Sequence, residues 1–163
     1  MNNTIGRIYM KRFIFVLVLL LISFTACDAP EDKVLASLGK YDDFVFYSEG
    51  AFQDYTDYAK YYYTSTNIYE NDYFAKIQES DFEKINEHLD DFESLIKTFK
   101  DGDATREIVV NYDFDRAIID TEDYIYMDSE KHTSYDGYTL LTNYDIYFFD
   151  TQTLVLYYFH NNI

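Results

Sequence analysis

One stretch limits what this chain can fold into more than any other. Phe82, Ile85, Leu89, Phe92, Leu95, Ile96 and Phe99 recur at spacings of three and four, which draws one apolar stripe along a helix. Ser80-Asp81-Phe82-Glu83 opens it as a capping box, in which the Ser and Glu side chains each satisfy an orphan amide. Asp101-Gly102-Asp103 ends it, and Lys97 and Lys100 lie where the helix dipole favours cations. The spacing predicts a helix from Asp81 to Phe99. Such a stripe is stable only against another apolar layer, so the rest of the chain has to supply one.

The segments able to do so are strand-like. Glu107–Phe114 alternates, with Ile108, Val110, Tyr112 and Phe114 on one side. Asp123–Met127 follows the same period. Tyr144–Phe149 and Leu154–His160 flank Asp150-Thr151-Gln152-Thr153, a hairpin signal. Asp57–Tyr63 reads as a strand rich in β-favouring tyrosine, whereas Tyr41–Tyr47 suits strand or helix. Aromatic content of 20% argues against disorder, because such side chains bury large apolar areas. The expectation is an α+β fold: one long amphipathic helix packed on an antiparallel sheet of about four to five strands. It is similar in outline to cystatin-like folds.

The first residues carry a different signal. A basic leader ends in Lys11-Arg12, an apolar run covers Phe13–Ile22, and Ser23-Phe24-Thr25-Ala26 precedes Cys27. A basic segment, a short apolar segment and small residues at a cut site define a secretory signal. Phe24-Thr25-Ala26-Cys27 resembles the lipobox of bacterial lipoprotein precursors, with Phe24 in place of the usual Leu. The resemblance implies cleavage before Cys27, lipid on Cys27, and a protein held at the extracytoplasmic face of the cell membrane. Cys27 is the chain's one cysteine, so an intrachain disulfide is impossible. The expected organisation is a signal peptide over 1–26, the lipidated cysteine with a short tether and helix over 27–40, and one globular domain over 41–163. In the second part Pro30 suits a first turn, Gly39 a stop, and Val34, Leu35 and Leu38 share a face.

Charge narrows the partners. From Cys27 onward, ten basic residues face thirty acidic ones, a net −20. Phosphate backbones would be repelled, so nucleic acid is not an expected partner. A basic protein is, with the chain itself a monomer. Net charge also simply keeps a surface domain soluble.

The tyrosines suggest where a partner would bind. If Ile125, Met127, Ile146, Phe148, Leu154 and Leu156 face the helix, the opposite face carries Tyr124, Tyr126, Tyr147, Tyr157 and Phe159. Left in solvent, that face is a binding platform, because tyrosine joins apolar area to a polar tip. Covered by residues 41–56, it is a second core layer.

Catalytic signals are weak. Asp101-Gly102-Asp103-Ala104-Thr105-Arg106-Glu107 does not match a calcium loop, and Asp113, Asp115, Asp120 and Asp123 read as solvated turn carboxylates. His88 reads as a solvent-facing helix residue, and the histidines form no zinc pattern. No metal and no cofactor is expected. The reading is a non-enzymatic, membrane-anchored lipoprotein that binds a partner through an acidic, tyrosine-rich surface, such as an inhibitor or immunity protein. The alternatives are a surface hydrolase acting on cell-wall glycan through a carboxylate pair, and a structural envelope lipoprotein.

Overall fold

The computed structural model describes residues 32–51, 54–133 and 139–162. The chain divides into two units, Met1–Lys33 and Val34–Ile163. The leader and Cys27 belong to the first and lie outside the described residues.

The elements are α1 (Lys33–Ser37), β1 (Asp43–Ala51), β2 (Asp54–Tyr62), β3 (Ala75–Lys76), α2 (Phe82–Gly102), α3 (Glu107–Asn111), β4 (Tyr124–Thr133), β5 (Thr139–Asp150) and β6 (Val155–Asn162). Short 3-10 turns occupy Ile68–Glu70, Glu79–Asp81 and Arg116–Ile118. The strands form one sheet in the order β1-β2-β6-β5-β4-β3, and each neighbouring pair is antiparallel. Among the described residues the fold is therefore α+β, with six strands and one long helix. The strand that sequence did not suggest is the two-residue β3, too short to show a period.

α2 does what its stripe requires. Ile85, Leu89, Phe92 and Ile96 are buried against Tyr58, Ile125, Tyr144, Ile146, Phe148 and Phe159 of the sheet. Fully burying a side chain such as Phe92 stabilises the fold by roughly 2–3 kcal/mol. Three local expectations are corrected. The capping box uses Gln78 and Asp81 rather than Ser80 and Glu83, because the 3-10 turn at Glu79–Asp81 starts the helical course earlier. His88 is fully buried, not solvent-facing: its ring meets Tyr144 edge-on at 5.5 Å, and its Nδ1 is 2.8 Å from the Lys84 carbonyl. Burial pushes its pKa down.

Glu107–Phe114 is the third correction. It is not a strand: Glu107–Asn111 is the helix α3, with Ile108 buried and Val110 65% exposed. Ile108 and Tyr112 pack into the core four residues apart, which is a helical face. Over so short an apolar run, periods of two and four are hard to separate.

The other face of the sheet carries a second core. Leu38, Tyr63, Ile68 and Phe74 are buried against Tyr147, Phe149 and Leu156, with Val34, Leu35, Tyr124, Tyr126 and Tyr158 packed around them. Gly39 adopts φ +92° just after α1, a conformation that glycine takes without cost. The turn there lets Leu38 enter this core. The sheet is thus covered on both faces over part of its length.

Candidate functional site

Strand register decides what each face presents. Opposite α2, one row runs Phe44, Tyr61, Leu156, Phe149, Tyr124 across β1, β2, β6, β5 and β4. The next runs Phe46, Ala59, Tyr158, Tyr147, Tyr126. These two rows hold the second core, so it ends where they end.

The five aromatic residues expected to share a platform do not stay together. Tyr124, Tyr126 and Tyr147 do lie on this face, with the Tyr126 and Tyr147 rings 5.9 Å apart. They are covered by the segments around α1 and residues 63–74, not by residues 41–56: Tyr69 meets Tyr124 at 5.9 Å, and Tyr73 meets Tyr126 at 5.9 Å. Tyr157 and Phe159 point the other way, into the helix-side core, where each ring lies 4.9 Å from Phe114. Leu154 and Leu156, expected beneath the helix, pack in the second core instead. The cause is one residue of turn. The β5–β6 hairpin pairs Asp150 with Val155, and Leu154, at φ +56°, is spent in the turn. A shift of one residue exchanges the faces of a whole strand.

Beyond the second core the same face changes character. The next row is Ser48, Asp57, His160, Asp145, Asp128, and the one after it Gly50, Tyr55, Asn162, Asn143, Glu130. No Lys or Arg occupies any of these positions. Asp128 and Glu130 are exposed, while Asp57 and His160 are buried. Asp145 and Asp128 oppose one another directly across β5 and β4, a like-charge pairing that weakens a sheet.

His160 is held by its neighbours. Its Nδ1 lies 2.8 Å from Asp145 Oδ1, and the same oxygen accepts the Tyr158 hydroxyl at 2.7 Å. Burial works against the Asp145 charge, but these hydrogen bonds outweigh it and keep the carboxyl below its usual range. The Tyr55 ring is 4.7 Å from the His160 ring. Among the described residues, two buried atoms of this row have no hydrogen-bond partner: Asp57 Oδ1 and His160 Nε2. Burial raises the pKa of Asp57 and the Asp145 charge adds to this, against the lowering effect of a Ser48 hydrogen bond. Sequence offered one hint of this cluster, the period-two placing of Asp57 on β2 and His160 on β6. Their apposition needed the register.

On the helix side, a cavity of about 450 Å³ opens between the end of α2 and the β1–β2 strands. Leu95 and Phe99 line it, with Glu49, Thr56 and Arg106. Arg106 is committed there: its guanidinium is 2.7 Å from Glu49 and sits 5.4 Å above the Phe99 ring. The turn carboxylates have structural duties. Asp113 accepts from Lys60 at 2.6 Å and Tyr58 at 2.8 Å, Asp115 caps Ala117, and Asp123 ties Thr151 to the start of β4.

Among the described residues, no three His, Cys, Asp or Glu side chains converge as metal ligands do. Among the same residues, no helix is long and apolar enough to cross a membrane. No protein-family model, curated protein or solved structure matches the chain.

Proposed function

We propose that this chain is a non-enzymatic lipoprotein, held at the extracytoplasmic face of the cell membrane by lipid on Cys27. It binds a basic protein through the open acidic end of its sheet, as an inhibitor or immunity protein would. The cystatin-like outline belongs to the same reading. The observation that carries it is the row Asp57, Asp145, Asp128, with Glu130 beside it and no Lys or Arg among them. Opposed carboxylates weaken a sheet, so stability alone does not account for them. Phe46 and Tyr55, 47% and 38% exposed, flank the row as aromatic anchors of the kind interfaces use. The tyrosine platform expected from sequence is therefore replaced by an acidic patch on the same face. A concentrated negative field speeds the encounter with a cationic partner and weakens with salt. Acyl chains on Cys27 would keep the domain at the membrane.

The test uses the full chain in detergent micelles and a cationic lysozyme as probe, with association rates measured across ionic strength. Binding should be fastest at low salt, and the double variant Asp128→Asn with Glu130→Gln should slow association about threefold or more. Absence of binding at low salt, or equal rates for the two proteins, would overturn the proposal.

A further inference from the structure

We propose that Asp57 and His160 form a socket for the guanidinium group of an arginine on the basic partner, an inference that rests on the reading of the acidic face. The two residues oppose one another directly across β2 and β6, and their side chains lie on the same sheet face. Asp57 is 6% and His160 7% exposed, and each has a buried polar atom without a partner among the described residues.

The hydrogen bonds decide what those atoms are. A carboxylate only accepts, so the His160 Nδ1 that faces Asp145 carries the proton. In the neutral ring Nε2 then offers a lone pair. Asp57 Oδ1 is an acceptor as well. The socket thus holds two acceptor atoms, on residues paired across the strands, that have no donor among the described residues. Ser48, on the far side of Asp57, donates to it, against the cost of burial. What is missing is a group that brings N–H donors and positive charge together.

A guanidinium fits better than an ammonium. Its donors lie in one plane and can meet two acceptors at once. It is also more weakly hydrated, which lowers the cost of entering a buried site. The Tyr55 ring, 4.7 Å from that of His160 and partly exposed, gives a planar cation a surface to stack on. Exposed Asp128 and Glu130 draw the cation to the row. The buried pair then selects its shape.

The probes are N-acetyl-arginine methylamide and its lysine counterpart, titrated into the full chain in detergent micelles with ¹⁵N-labelled histidine. The arginine probe should move the His160 Nε2 resonance saturably and leave that of His88, buried on the sheet-facing side of α2, unchanged. By calorimetry, Asp57→Asn should weaken the arginine probe about tenfold or more, since it replaces a charged acceptor. His160→Gln should weaken it too, and Glu83→Gln, on the exposed side of α2, should not. No shift of His160 at saturating probe, equal affinity for the lysine probe, or an equal loss in Glu83→Gln would each overturn the socket. If lysozyme fails to bind while the arginine probe still saturates His160, the proposed function falls and the socket stands.

Discussion

At the scale of single residues, Asp57 separates function from stability. Its folded pKa is raised by burial, so the charged form is disfavoured in the native state. The sign follows from linkage. The cost is absent below the unfolded carboxylate range and grows as pH rises through the folded pKa. Asp57→Asn should therefore raise the unfolding temperature at neutral pH, by on the order of 1 kcal/mol of stability. That gain should vanish as pH falls below the usual carboxylate range. Thermal unfolding across pH checks it, and a destabilised variant at pH 7 would contradict it. The same variant is expected to lose arginine binding, a combination that a purely structural carboxylate would not give. Gly50 is constrained differently. At φ +147°, a Cβ added there would lie 2.2 Å from the Asp54 carbonyl oxygen and 2.6 Å from Tyr55 Cα. Gly50→Ala should cost about 1–3 kcal/mol in denaturant unfolding. Because Tyr55 borders His160, it should also disturb the socket.

At the scale of elements, α2 was legible from its stripe because seven apolar residues repeat over five turns. The short α3 was not, since its few apolar residues fit either period. Paired substitutions resolve the two. In a strand, Ile108 and Val110 would share a face. In α3, Ile108 is buried and Val110 exposed. Ile108→Asp should destabilise by about 3 kcal/mol or more, and Val110→Asp by less than about 0.5 kcal/mol. Similar losses would restore the strand reading. β6 teaches the complementary lesson. Its existence and length were readable, but its facing was not, because that depends on Leu154 belonging to the turn. Tyr157 and Phe159 moved into the helix-side core for that reason alone, and Leu154 and Leu156 into the other.

At the scale of the whole molecule, the two faces of the sheet divide the labour. The helix side is a core along most of its length. The opposite side is core for two rows, and the next two carry Asp57, Asp145, Asp128 and Glu130. Charge is distributed accordingly. Lys60, Arg106, Arg116 and Lys131 each pair with an acidic side chain at 2.6–2.8 Å, away from the open row. That leaves the row as a concentrated field. For membrane attachment, wild-type chain grown with a labelled fatty acid should incorporate it, and Cys27→Ser should not. Equal labelling of both would refute lipid on Cys27.

Some of this was settled by local order along the chain. The long helix, the strand-rich remainder and the acidic balance follow from periodicity and composition, which neighbouring residues set between themselves. The candidate site was not available at that level. Asp57 and His160 are over a hundred positions apart in sequence, and Asp145 joins them through a different hairpin. Which atoms became buried without partners was decided by strand register and by where the second core stops. Register is a property of paired strands and turn length, and no single strand carries it.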